Sequence, residues 1–464
     1  MTMKQYILHV LLVALALTAC SDFLDIKPYG KTIPRTREEY KALLDETLNG
    51  IDMGSTGDEQ LLGSYSLSAS YEECADNLET NLTEYPSGNY LTTYIGAILS
   101  GRQSVYNYLY ELIRTSNIIL DGWSPDTWER ADSDIVGTCH AIRGVAYYQL
   151  LRQFCAPAGS EDATLGVPIV TTFNMEAKPD RSTYAQTEAQ AEADLRKALS
   201  YHIQDKMYRF NDDVILGYLA RLYHWTGRWQ EALEAATEVV DRHPLLDSAA
   251  YRTMQETTYG LAGNRLIMGN LISDGGTGMS GTQTMIKYRP ISKRWLNLFE
   301  EGKADVRYAL AVAKKRKNAK IIRANLRSAE LYLIAMECHY HLDHTKDALL
   351  MLNSLRRLRC PQARPYTPAT LPAIPDDEYI REDATGAPLT PMLYAILRER
   401  RKEMFMENGD RFWELKRNGR PEFWVGVKGK KYWTRLFMYT FPLPVADTYV
   451  QPSLIQNPGY EEVE

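Results

Sequence analysis

Ala220-Arg221-Leu222-Tyr223-His224-Trp225-Thr226-Gly227-Arg228-Trp229-Gln230-Glu231-Ala232-Leu233-Glu234-Ala235-Ala236, running on to Val239, Val240 and Pro244, reads as two antiparallel helices joined at Gly227. Tyr223 packs from the first helix, Gly227 supplies the turn, Ala232 lets the two backbones approach closely, and Pro244 stops the second helix. A second such pair follows further along. Leu331 to His341 carries apolar and small residues at helical spacing, including Ala335, and Asp343 to Thr345 makes the turn. Ala348, Leu349, Leu352, Leu355 and Leu358 then form the returning face, with Pro361 as the stop. About a hundred residues separate the copies, so a scaffold of helical pairs with insertions is expected rather than a regular tandem solenoid.

Both pairs resemble tetratricopeptide hairpins. Glu38 to Leu48, Val105 to Leu120, Ile135 to Phe154 and Ala185 to Tyr201 add further amphipathic helices by their i, i+3, i+4 apolar spacing. The expected fold is therefore mostly α, with TPR-like helical pairs as scaffold, long loop insertions and little β. Four stretches without helical period, Gly50 to Ile95, Ala156 to Pro179, Tyr259 to Pro290 and Cys360 to Pro391, are rich in Gly, Pro, Ser, Thr or Asn and read as loops. Loops of that length in a compact domain are usually functional or disordered, and their tyrosines favour function.

The 464 residues are 45% hydrophobic and 24% charged, enough apolar content for a sizeable core. A formal net charge of −6 argues against a nucleic-acid partner, which needs a clustered basic surface. The one basic run, Lys314 to Lys317 with Lys320 and Arg323, reads as a solvated turn or helix start. Cys74, Cys139, Cys155, Cys338 and Cys360 include no C-x-x-C pair, which disfavours a zinc ribbon or a disulfide framework and leaves them as small buried hydrophobes. The unusual feature is aromatic: 31 Tyr and 8 Trp against 10 Phe. Tyr and Trp pair a flat apolar face with a polar handle, which suits stacking on sugars as well as packing.

At the N-terminus, Lys4 gives a positive n-region, Tyr6 to Thr18 an apolar stretch, and Leu17-Thr18-Ala19-Cys20 resembles a lipobox. The apolar stretch is shorter than the ~20 residues a bilayer span requires, so cleavage and lipidation at Cys20 are expected in place of a transmembrane anchor.

With these pieces in order, the chain resembles the SusD/RagB family of outer-membrane nutrient-binding lipoproteins from end to end. Phe23-Leu24-Asp25-Ile26-Lys27-Pro28 is similar to the family's opening motif, and Ala141-Ile142-Arg143-Gly144-Val145-Ala146-Tyr147-Tyr148 with Gly166-Val167-Pro168-Ile169-Val170 to its Arg-Ala-Tyr-Tyr helix and Gly-x-Pro strand. Arg398-Glu399-Arg400-Arg401-Lys402-Glu403 with Asn408-Gly409-Asp410-Arg411-Phe412-Trp413-Glu414-Leu415-Lys416-Arg417 resembles its charged C-terminal segment. Phe441-Pro442-Leu443-Pro444 and Gln456-Asn457-Pro458-Gly459-Tyr460 resemble its closing signature. These read as architecture: the charges pair internally, and Gln456 to Tyr460 ties down the chain end.

The resemblance implies a SusD-like fold with a leader over residues 1–19, an N-terminal helical region over 20–240 and a C-terminal region over 241–464 in the same globular unit. It implies a lipid-anchored, surface-exposed outer-membrane protein that captures a glycan and passes it to a SusC-like TonB-dependent transporter. Two alternatives stay open: peptide capture in the RagB manner, and a helical-repeat adaptor with no small ligand.

No catalytic residues, metal or cofactor are expected. Gly276-Thr277-Gly278-Met279-Ser280-Gly281 satisfies G-x-G-x-x-G but leads into a β-like stretch and not a helix, so it reads as a loop. There is no H-E-x-x-H or G-x-S-x-G, and His339, His341 and His344 straddle a helix end. A sugar site needs exposed aromatics beside amides or carboxylates. Tyr85, Asn89 and Tyr90 in the first long loop, and Tyr259 and Tyr288 flanking the glycine-rich one, have that make-up and are the candidate ligand residues.

Overall fold

In the computed structural model, which describes residues 34–53, 57–63, 65–82, 94–256, 268–269, 286, 289–427 and 430–460, Gly227 holds the turn that its hairpin requires. Its φ of 76° lies in the left-handed region, where a side chain would be strained. The chain runs α1 (Arg37–Met53), α2 (Tyr65–Cys74), β1 (Asn81–Leu82), α3 (Ile95–Gly122), α4 (Arg130–Phe154), β2 (Leu165–Pro168) and β3 (Arg181–Thr183). It continues with α5 (Tyr184–Leu199), α6 (Asp212–Thr226), α7 (Trp229–Arg242), α8 (Ser248–Glu256), β4 (Met268–Gly269), α9 (Lys293–Leu296), α10 (Val306–Ala311) and β5 (Asn325–Leu326). The remaining elements are α11 (Ser328–His341), α12 (Thr345–Arg359), α13 (Pro391–Glu403), α14 (Asp410–Arg417), β6 (Phe423–Val427), β7 (Lys430–Thr434) and α15 (Val445–Val450).

Helix starts follow local chemistry. Asn211 caps α6 by accepting from the Val214 amide at 3.0 Å, and Thr183 and Gln186 form a reciprocal capping box at α5. Thr390 caps α13, with Pro391 where a missing N–H costs nothing. The helices stack in the order α4, α5, α6, α7, α11, α12, so the two TPR-like pairs are neighbours in space although far apart in sequence. Gly144 permits the α4–α5 contact: a Cβ there would meet Leu195 Cγ at 2.9 Å. One hydrophobic core runs from Leu44 to Leu454, with a satellite around Trp295, Phe299 and Phe405.

The mostly α fold is as expected. Among the described residues the sheets are small: β1 pairs in parallel with β6, β6 antiparallel with β7, β2 with β3, and β4 with β5. Two expectations need correction. The stretch 50–95 contains helix as well as loop, since Asp58–Leu61 forms a 3₁₀ turn and Tyr65–Cys74 forms α2. Lys320 and Arg323 of the basic run are buried, because the strand-like chain after Lys317 lies against residues 403–407, where the Lys320 ammonium meets Glu407 at 2.7 Å. The five cysteines are buried free thiols, as expected. Burial pushes the Cys74 and Cys139 thiols up to about 12, so neither offers a reactive thiolate at neutral pH.

The charged C-terminal segment is a structural clamp. Arg221 of α6 donates to Glu330 of α11 at 2.6 Å, and Glu337 of α11 receives Arg417 of α14 at 2.7 Å and faces His224 at 3.0 Å. Glu403 is fully buried and accepts from Arg359 and Arg327, both at 2.9 Å. Arg411 meets Asp76 at 2.6 Å, joining residues 335 positions apart. At the chain end, the Asn457 side-chain amide donates to the Phe154 and Phe441 carbonyls at 2.9 and 2.6 Å, which is the expected tie.

Candidate functional site

Tyr85, Asn89, Tyr90, Tyr259 and Tyr288 all lie outside the described residues, as do Cys20 and the glycine-rich Gly276 to Gly281. The Glu79 amide donates to the Pro290 carbonyl at 2.9 Å, the Ser292 amide to the Asn77 carbonyl at 2.8 Å, and Leu78 bridges Ile291. Arg289 adds bonds to the Glu79 and Glu73 carbonyls at 2.9 and 2.7 Å. The segment that precedes 83–93 and the segment that follows 287–288 are therefore laced side by side.

The β6–β7 hairpin stands over this junction, with the Gly426 amide donating to the Thr80 carbonyl at 2.7 Å. Its register pairs Phe423 with Thr434, Trp424 with Trp433, Val425 with Tyr432 and Gly426 with Lys431. Side chains alternate across a strand, so Phe423, Val425 and Thr434 face the core while Trp424 and Trp433 share the outer face. Trp433 is 44% exposed. The Lys431 ammonium lies 4.6 Å from the Trp424 ring centroid and the Arg435 guanidinium 5.0 Å from that of Trp433. Arg435 also meets Glu422 at 3.2 Å. On the inner face, Tyr432 stacks on Tyr94 at 4.4 Å, fixing the point where the chain re-enters after residue 93. Phe423 stacks on Tyr379 at 4.7 Å, and the Arg294 guanidinium covers Tyr379 at 3.8 Å.

This face offers two flat rings flanked by cations and a carboxylate, a make-up that stacks on the C–H face of a sugar while hydrogen-bonding its hydroxyls. Sequence reading did not find it. The signal was there: Phe423-Trp424-Val425-Gly426-Val427 and Lys430-Lys431-Tyr432-Trp433-Thr434 alternate around Lys428-Gly429, the pattern of a hairpin, with tryptophans where polar residues are usual.

A second concavity, about 530 Å³, runs along α3 and is lined by Tyr106, Tyr110, Arg114, Lys178, Asp447 and Leu454 among others. The Tyr110 hydroxyl is engaged there, donating to the Pro168 carbonyl at 2.6 Å, and burial raises the Asp447 carboxyl above the usual carboxylate range. Among the described residues, no helix is long and apolar enough to cross a membrane.

Comparison with known proteins gives the family. A model described as starch-binding, associating with outer membrane, matches residues 22–224, and the SusD family model matches residues 306–460. No curated protein matches significantly. Among solved structures, a SusD superfamily protein of Bacteroides thetaiotaomicron is similar with a TM-score of 0.68 at 20% identity, covering 92% of this chain and 100% of its own. A SusD-like carbohydrate binding protein of Bacteroides vulgatus has a TM-score of 0.65 at 17% identity, covering 90% and 97%. A laminarin binding SusD-like protein has a TM-score of 0.58 at 17% identity, covering 92% and 100%. At these identities the structures speak for the fold, while the two matched segments carry the family's own sequence signatures at both ends of the chain. The chain belongs to the SusD/RagB family.

Proposed function

We propose that this protein is a glycan-capturing lipoprotein of the outer-membrane surface, which delivers oligo- or polysaccharide to a SusC-like TonB-dependent transporter without chemistry of its own. The observation that carries the reading is the outward pair Trp424 and Trp433 on a hairpin seated at the laced junction of residues 77–82 and 289–292. Rings held on paired strands keep their spacing without a ligand, so little ordering cost opposes binding. The carbohydrate and laminarin binding in the names of two structural relatives supports the same ligand class.

In this reading Tyr85, Asn89, Tyr90, Tyr259 and Tyr288 complete the ligand surface. Cys20 carries the lipid anchor after removal of residues 1–19, and the mature chain comprises regions 20–240 and 241–464. Acyl chains contribute roughly 0.8 kcal/mol per buried methylene, so two or more hold a protein on a membrane stably. No step needs a catalytic group, because the transporter supplies the energy of uptake.

The test is calorimetry of the chain from Ser21 onward against a panel of polysaccharides and a mixed peptide pool, repeated with the Trp424→Ala, Trp433→Ala double variant. Saturable heat with one glycan class, lost in the variant, is the expected result. Heat with the peptide pool alone overturns the glycan reading in favour of peptide capture. Glycan binding that survives in the variant overturns the role of the hairpin.

A further inference from the structure

The turn between α11 and α12 brings together three groups that sequence spacing keeps apart. Asp343 adopts φ of 61°, in the left-handed region that Asp tolerates better than most side chains. That residue reverses the chain so that the His344 amide donates to the His339 carbonyl at 2.8 Å and the Asp347 amide to the His344 carbonyl at 3.0 Å. The two imidazoles consequently face one another, with Nδ1 of His339 and Nδ1 of His344 3.2 Å apart. A carboxylate oxygen of Asp347, in the first turn of α12, and one ring nitrogen of each histidine all lie within 4.8 Å of one another.

From this geometry we infer a binding site for a borderline divalent transition-metal ion of the zinc or nickel class, held by His339, His344 and Asp347. With metal–nitrogen bonds of about 2.0–2.1 Å, two nitrogens 3.2 Å apart subtend about 100° at the ion, near the tetrahedral angle that zinc adopts. Imidazole and carboxylate together select such ions over calcium or magnesium, which prefer all-oxygen shells. His344 and Asp347 are exposed, so water enters the remaining coordination position, and the ion is bound at a surface turn and not in a closed structural site.

The arrangement is preorganised by the protein. Without an ion, one ring donates its Nδ1 proton to the lone pair of the other, and the same 3.2 Å separation is kept. Coordination uses the lone pair of one ring nitrogen on each histidine, so both imidazoles bind the ion in their neutral form. The sequence sets the three nearby histidines astride a helix end, with no metal spacing on a single helix face. The Asp343 reversal replaces that spacing, and Asp347 takes the place of His341, whose ring stacks on Trp229 at 3.9 Å.

The test is titration of zinc chloride, then nickel chloride, into chelator-treated protein from Ser21 onward, followed by calorimetry. One ion per chain is expected, with affinity falling at least about tenfold in His344→Ala and in His339→Ala, and less in Asp347→Asn. Far-UV circular dichroism of each variant is expected to match the parent, and saturating zinc to raise the thermal midpoint of the parent but not of the double histidine variant. No saturable heat in the parent, or an isotherm unchanged in the double variant, overturns the site. Because this turn belongs to the α11–α12 pair, neither result depends on whether a glycan binds at the hairpin.

Discussion

Replacing Glu403 by Gln removes one negative charge from the centre of the clamp while keeping the side chain's shape. The carboxylate is fully buried and accepts from Arg359 at 2.9 and 3.0 Å and from Arg327 at 2.9 Å, with the Arg307 guanidinium 3.6 Å away. Glutamine keeps one acceptor oxygen but turns an NH₂ group toward a guanidinium that also donates. At least one charge-assisted bond, worth about 1.5–3 kcal/mol, is lost outright, and the others weaken. Leaving a buried cation under-compensated brings the expected loss to about 3–5 kcal/mol. Urea unfolding followed by far-UV circular dichroism should show a lower midpoint at unchanged slope.

Acid should act through the same group. The arginines hold the Glu403 carboxyl well below the ordinary 4.5. A depressed folded pKa gives stability that is present above the unfolded value and is lost as pH falls from there through the folded one. The difference between Glu403→Gln and the parent should therefore stay constant from neutrality to about pH 5 and shrink in stronger acid. A variant within about 1 kcal/mol of the parent at pH 7 would refute the clamp as a stability element.

Further outcomes follow from other sites. Trp433 leaves 44% of a roughly 250 Å² side chain exposed, so covering half of that surface with a sugar contributes about 1.4 kcal/mol, and Trp433→Ala should weaken glycan binding about tenfold in calorimetry with an unchanged melting curve. Glu72 is buried and accepts from Asn77 at 2.6 Å, and desolvation pushes its carboxyl up to about 7. A raised folded pKa costs stability as pH rises from the unfolded value towards 7, so Glu72→Gln should stabilise by about 2–3 kcal/mol at pH 8 and by little at pH 4, read by denaturant titration at both. Gly144→Ala forces a methyl to 2.9 Å from Leu195 Cγ and should cost about 1–3 kcal/mol in the same assay.

The helical scaffold was legible because its signals are local: apolar spacing, Gly227, and the stops at Pro244 and Pro361. What escaped depends on partners distant in sequence. Tyr71 and Cys74 of α2 are buried against α14, and their stretch shows no helical period because several of its faces are covered. Lys320 and Arg323 read as solvated, since nothing nearby announces that Glu407 lies beside the first. The tryptophan pair is hidden for a different reason: Trp424 and Trp433 sit on a short hairpin outside the long loops, and its register alone reveals that they share a face. The histidine turn likewise depends on one left-handed residue, Asp343, that composition does not mark.

The lacing of residues 77–79 to 290–292 bears on how this fold tolerates variation in its loops. Most bonds that close the junction run between backbone groups, or from Arg289 and Ser292 side chains to carbonyls, joined by the Lys293 amide donating to the Glu79 carboxylate at 3.2 Å, so the frame depends little on the identity of residues inserted beyond it. Closure entropy grows only by about 0.6 kcal/mol for each doubling of loop length, so insertions and replacements there cost the fold little. Under the proposed function, recognition and folding are thereby uncoupled. On that reading new specificities can be tried by mutation at little cost to the fold, and segments of a relative grafted between residues 82 and 94, or between 269 and the buried Ile286, should inherit a working chassis.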